Sequence, residues 1–155
     1  MEAKTLTFSQ LFLRIALSFS FLSAVADRFG FWGTPGSNGV VWGNWQNFVA
    51  YSNSVNSFLP ESIAEVLAVV ATVLEIILPL LLLVGYQLRA VAFLSGMLLA
   101  TFGIAMTVSL GFKTPFDYSV WTAAGGCFLL SSIGNFRYSL DETLKKKTIS
   151  NKTAF

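Results

Sequence analysis

The sequence predicts an all-α integral membrane protein: an antiparallel four-helix bundle with one extra amphipathic interfacial helix in its first extracytoplasmic loop. Three observations carry that expectation. Of 155 residues, 54% are hydrophobic and only 12% are charged, against a charged share of ~25% in soluble domains. The mean hydropathy is +0.66, so too few charges exist to hydrate a soluble surface. Four segments also approach the ~20 apolar residues that a helix needs to cross the hydrocarbon layer. The same composition excludes a disordered chain and a nucleic-acid-binding domain, and a net charge of +2 supports no polyanionic partner.

The first span is expected over 8–26, interrupted only by Arg14. Ala24-Val25-Ala26 before Asp27 resembles a signal-peptide cleavage site, but Arg14 inside the apolar stretch and a lone Lys4 ahead of it favour an uncleaved span. The outer loop, 27–62, has two parts. Its first half is rich in glycine. The second, 44–58, repeats apolar residues at helical spacing, with Trp42, Trp45, Val49, Val55 and Phe58 or Leu59 near one stripe and Asn44, Asn47, Asn53 and Asn56 elsewhere. That pattern predicts a helix at the outer interface with Trp42, Trp45 and Tyr51 at headgroup level, or a lid packed on the bundle.

The second span, 63–84, carries Glu65, Glu75 and Pro79, whereas the third and fourth, 90–111 and 118–136, are uncharged between Arg89 and Lys113 and between Asp117 and Arg137. Lys113 to Asp117, with Pro115, reads as a turn. Residues 1–140 make one domain, and 141–155 a solvated tail whose Lys145, Lys146 and Lys147 suit anionic headgroups. The glycosylation sequon at Asn151-Lys152-Thr153 carries no meaning on the cytoplasmic side. Lys4, Arg89, Arg137, Lys145, Lys146, Lys147 and Lys152 fall on one side against Arg28 and Lys113 on the other. Both termini are therefore expected in the cytoplasm, in a bacterial inner membrane. Rows of small residues, Ala16-Ser20-Ala24, Ala64-Ala68-Thr72 and Ala92-Gly96-Ala100, with Gly125 and Gly126, suit close helix packing in lipid.

The ionisable residues of the first two spans form stripes. Glu61, Glu65, Ala68, Thr72, Glu75 and Pro79 follow a heptad-like face, and so do Arg14, Ser18, Phe21, Val25 and Arg28. Antiparallel neighbours at equal depth have a constant sum of residue numbers. A sum of 89 pairs Arg14 with Glu75 and Arg28 with Glu61, at depths about 21 Å apart. A charge near mid-bilayer costs ~2.5–3.5 kcal/mol unless paired or hydrated. Arg14 and Glu75 are thus expected either as a register-fixing ion pair or, with Thr72 and Pro79, as a ligand or proton site; Pro79 frees the Glu75 carbonyl for the same cavity. Asp27, Arg28, Glu61 and Glu65 are expected to gather at the outer rim, as a hydrated network or a hold for a cation or partner.

No histidine and a single cysteine, Cys127, exclude a His-ligated haem, His-containing zinc sites, a dithiol relay within one chain and a Ser-His-Asp triad. No metal site and no intrinsic cofactor are expected, and Cys127 reads as a small apolar core residue.

Leu13-Arg14-Ile15-Ala16-Leu17, then Val73-Leu74-Glu75 followed by Leu80 to Gly85 and Arg89, then Gly134 to Asp141, resemble the DoxX family of small membrane proteins in order and spacing. Arg14 and Glu75 stand where that family usually has an arginine and a glutamate. The resemblance implies a redox setting, since some members are linked to thiosulfate:quinone oxidoreductase as a membrane subunit. Others are linked to complexes with superoxide dismutase and a thiosulfate sulfurtransferase. The chain departs from the pattern after the first span, where Asp27-Arg28 stands in place of His-Lys or Gly-x-x-Lys. The function expected is a membrane component of a redox or quinone-linked complex, with a quinone beside Arg14 and Glu75. No complete catalytic set is visible in the chain, so electron transfer would involve partners. The alternatives are a non-catalytic scaffold that anchors membrane or peripheral proteins, and a small-solute transporter formed by a homo-oligomer.

Overall fold

The structure, a computed structural model, describes residues 2–152, with side chains described for residues 4–147. The described residues form helices α1 (Glu2–Arg28), α2 (Trp45–Val55), α3 (Glu61–Val84), α4 (Leu88–Leu110), α5 (Thr114–Asp117), α6 (Val120–Ser131) and α7 (Leu140–Lys152), and no strand. Helices α1, α3 and α4 are long and apolar enough to cross a membrane. Helix α6, on the expected fourth span, has 12 residues, about 18 Å at 1.5 Å each and short of the ~30 Å hydrocarbon core. Ser119, at φ 54, breaks the helix on one side, and an irregular strap, 133–139, follows it on the other.

Two antiparallel helix pairs, α4 with α6 and α1 with α3, make the closest packing. Along α4 and α6, Gly96 faces Phe128 and Gly103 faces Trp121, each ring so close that an added Cβ would stand 2.7 Å and 2.9 Å from it. Both pairs sum to 224, as expected for antiparallel neighbours, and the glycines let the rings seat. Along α1 and α3, Ser18 Oγ donates to the Pro79 carbonyl at 3.1 Å and Arg14 Nη2 to that of Leu83 at 3.1 Å. Those pairs sum to 97. The expected sum of 89 is therefore wrong by eight residues, about 12 Å. Periodicity sets which face a residue occupies, but not how far one helix slides along another. Leu17, Leu78, Leu82, Leu88, Val91, Ala92, Cys127 and Leu130 pack the core between these helices.

The slide recesses the C-terminal end of α1 below the N-terminal end of α3. Helix α2 fills the difference, its Asn44 cap accepting from Asn47 N at 2.8 Å. It buries Phe48, Ser52 and Val55, with Val55 against Ala105 and Met106 of α4. The helix thus packs as a lid on α3 and α4, and its buried stripe shares Val55 with the expected one but runs through Phe48 and Ser52 rather than Trp45 and Val49. Of the three small-residue rows, Ala64-Ala68-Thr72 is buried, as are Ala92 and Gly96, but Ala16 and Ala24 are half-exposed and Ser20 is exposed.

The described part of the expected solvated tail is helical. Ser139 and Glu142 form the turn that starts α7: Glu142 N donates to Ser139 Oγ and Tyr138 N donates to Glu142 Oε2, both at 3.1 Å. This is an S-x-x-E capping pattern. Thr153, which completes the sequon, lies outside the described residues. Hydrogen bonds from Lys146 and Tyr138 N hold the Glu142 carboxyl below its ordinary value of 4.5. A lowered folded value stabilises the charged form, so the contribution is present above the ordinary value and lost as pH falls through the lowered one. We expect the start of α7 to fray in acid, read as faster amide exchange at residues 139–143, and Glu142→Gln to remove that pH dependence.

Candidate functional site

Arg28 is the last residue of α1, and the recess places it beneath the loop between α1 and α2. Its Nη1 lies 2.5 Å from Glu75 Oε2, with the two side chains only 4% and 5% exposed. The same nitrogen donates to Thr72 Oγ1 at 2.7 Å, and Thr72 in turn donates to the Ala68 carbonyl at 2.8 Å. The guanidinium carbon stands 3.9 Å from the centre of the Phe48 ring and 5.4 Å from that of Trp42. Those two rings meet edge to face at 5.2 Å. A buried cation is thus held by a carboxylate on one side and aromatic faces on the other, the arrangement in which cation–π attraction is strongest.

Asp27 positions this roof. Its carboxylate accepts from the backbone N–H groups of Val41, Trp42 and Gly43 at 2.9, 3.1 and 3.3 Å. The loop can close on it because Gly43, at φ 68, leaves no room for a Cβ, which would stand 2.6 Å from Pro35 N. Asp27→Ala should cost about 1.5–3 kcal/mol, the range for hydrogen bonds to a charged group. It should also red-shift the tryptophan emission as Trp42 lifts from Arg28; an unchanged spectrum at full stability would contradict the role.

Two buried donors in this cluster have no acceptor, Arg28 Nε and Trp42 Nε1. They belong to stacked side chains beside the Glu75 carboxylate. Such a set takes an acceptor-only oxygen, such as a carbonyl, and the adjacent carboxyl group can exchange a proton with it.

Arg14 is elsewhere. It is 1% exposed, and its guanidinium donates to four carbonyls: Leu82 at 3.0 Å, Leu83 at 3.1 Å, Tyr138 at 3.2 Å and Arg137 at 3.5 Å. The first two are carbonyls that the end of α3 leaves unpaired. Leu82 lies seven residues beyond Glu75, about 10 Å along the helix, so the expected Arg14–Glu75 pair is replaced by Arg28–Glu75. Gln10, buried at 1% exposure, adds a bond from Nε2 to the Arg137 carbonyl at 3.1 Å. Asp141 completes this end by accepting from the first N–H groups of the α4 turn, Gln87 at 2.8 Å and Leu88 at 2.9 Å. Gly85, at φ 78, is where the parts converge: an added Cβ would stand 2.7 Å from Arg14 Nη2 and 2.6 Å from Ser139 Cβ.

Of the expected site, Glu75 and Thr72 come together, while Pro79 engages Ser18. The outer rim does not assemble. Asp27 and Arg28 turn inward, Glu61 Oε1 accepts from Asn53 at 3.3 Å, and Glu65 is exposed. Among the described residues no three His, Cys, Asp or Glu side chains group as metal ligands. Sequence spacing does not single out Trp42 and Phe48 as site residues; the signal for them is their place directly after the glycine-rich segment that returns to Asp27.

The model of the DoxX family matches residues 9–110, about two-thirds of the chain. The chain belongs to the DoxX family. The match contains Arg14, Arg28, Trp42, Phe48, Thr72 and Glu75, so the whole Arg28 cluster lies within the DoxX region. The strap and α7, which close the opposite end, lie beyond it. No curated protein and no solved structure matches the chain.

Proposed function

We propose that this DoxX protein is the membrane component of a redox or quinone-linked complex. In this reading α6 and its flanking segments complete a fourth passage of a bacterial inner membrane, with both termini cytoplasmic. The Arg28–Glu75 cluster receives the head group of a quinone-like lipophilic molecule. The observation that carries the reading is the pair of buried donors without acceptors, Arg28 Nε and Trp42 Nε1, beside a buried carboxylate. A quinone carbonyl is an acceptor of the kind they lack, and Trp42 and Phe48 offer aromatic faces for the ring. When bound, a quinone supplies an acceptor for two electrons and two protons. Arg28 and Trp42 would hold and polarise its oxygen, and Glu75 would pass one of the two protons, the other coming from solvent. Electrons come from a partner, because the chain has no histidine and its one cysteine is fully buried.

The test is to purify the protein in mild detergent and identify bound lipophilic molecules by mass spectrometry. Quinone should be retained by the wild type and lost from Glu75→Gln and Trp42→Phe variants that keep wild-type helicity. Equal retention in all three overturns the site. A second reading, a scaffold that anchors partner proteins, is favoured by the exposure of the Ala16-Ser20-Ala24 row on the outside of α1. Preparations empty of quinone that carry one stoichiometric partner would support it.

A further inference from the structure

We infer that the two stems of the outer loop, residues 29–32 and 40–43, lie inside the hydrocarbon layer, with Phe31, Trp32 and Val41 against lipid acyl chains. The depth follows from charge and register. Glu61 and Glu65 are both exposed on α3, and a lipid-facing charge is strongly disfavoured, so hydrocarbon begins below Glu65. From Glu65 to Val84 is nineteen residues, about 28 Å, which matches the thickness of the apolar layer. Arg89, exposed at the start of α4, falls beyond it.

The α1–α3 sum of 97 sets Arg28 opposite residue 69, four residues or about 6 Å below Glu65. The chain leaves helix α1 there. Irregular backbone is tolerated at such depth only where the protein itself satisfies its polar groups, and every stem N–H except that of Trp32 is taken up within the protein. Asp27 takes three N–H groups of the returning stem. In the departing stem Gly30 N donates to the Asp27 carbonyl and Phe31 N to that of Ala26, both at 3.0 Å. Trp32 Nε1 donates to the Ser23 carbonyl at 3.0 Å, which folds the indole back along the outside of α1, away from the headgroups.

Helix α2 then climbs back. At its lower end Trp45 stacks on Phe29 at 5.9 Å. Just past its upper end Ser57 Oγ meets Ser109 Oγ at 3.2 Å, near the last turn of α4. Its 11 residues rise about 16 Å, enough to return the chain from the end of α1 to the level of Glu61. Phe31, Trp32 and Val41 are 79%, 61% and 59% exposed. Three large apolar side chains held at this depth and open to the outside match acyl chains rather than water.

Site-directed spin labelling tests the placement. Phe31→Cys, Val41→Cys and Ser62→Cys are made in a Cys127→Ala background, reconstituted in phosphatidylethanolamine–phosphatidylglycerol nanodiscs and labelled with a nitroxide. The ratio of oxygen to nickel-chelate collision rates should be higher at 31 and 41 than at 62 by about tenfold or more, the factor that ~1.4 kcal/mol of exclusion produces. In the unlabelled wild type, brominated acyl chains should quench tryptophan emission, and Trp32→Phe should remove much of that quenching while Trp121→Phe should not. A ratio at 31 or 41 equal to that at 62, or quenching unaffected by Trp32→Phe, overturns the proposal. Neither measurement uses a quinone, so its outcome is independent of the ligand reading.

Discussion

Arg28→Met alone should destabilise the folded protein by about 3–5 kcal/mol, and adding Glu75→Met should recover most of that loss. The single change leaves the Glu75 carboxylate buried without its cation, and Thr72 without its donor. The double change removes both charges and leaves a volume that Phe48 and Trp42 can cover. Unfolding in mixed detergent micelles measures all four corners of the cycle. Coupling between Arg28 and Glu75 should exceed that between Arg14 and Glu75, which should be near zero because the latter two sit on separate sets of partners. The reverse ranking would restore the pairing that the stripes alone suggest.

Arg14→Met should open the opposite end. The carbonyls of Leu82, Leu83 and Tyr138 lose their side-chain donor together, each at a cost of about 1–3 kcal/mol if it stays buried and unpaired, while that of Arg137 keeps Gln10. The strap is the part free to respond, since it is irregular and the ends of α3 and α4 are held by their own helices. Arg137 is exposed, and trypsin cleavage after it reports the open population. We expect cleavage to accelerate by at least about tenfold, the equivalent of ~1.4 kcal/mol, with the Arg28 cluster unaffected. Unchanged cleavage would mean that Gln10 and Asp141 hold the strap without Arg14.

Much of this organisation is legible in the residues, and the failures share a cause. The long apolar runs of α3 and α4, the glycine after Val84 and the inward faces of Ala64, Ala68 and Thr72 all follow from local spacing. The stripes also place Arg14, Arg28 and Glu75 on facing sides. Pairing them needs the longitudinal slide, which no periodic pattern contains. Several registers fit the same residues, among them 89 with two arginine–glutamate pairs and 93 and 103 with one each, and the protein takes none of these. It sits at 97, and long side chains bridge the remainder. The shortness of α6 had a signal in Ser131-Ser132-Ile133-Gly134-Asn135, a run of helix breakers, and Ser139-x-x-Glu142 marked the start of α7. The roof over Arg28 had weaker local signs, because it depends on Asp27 gathering backbone from residues fourteen to sixteen positions away.

Arg14 and Arg28 stand fourteen residues apart, close to four full turns, and so leave α1 on the same side. One is bolted to the tail of α3 and the strap, the other to the middle of α3 and the loop. A piston stroke of α1 by a single turn, ~5.4 Å, would shear both fastenings at once. So would a swivel about its axis. Mechanical signals along this helix are therefore opposed, and motion between the two faces of the protein is left to elements that neither arginine grips, α4 and α6 among them.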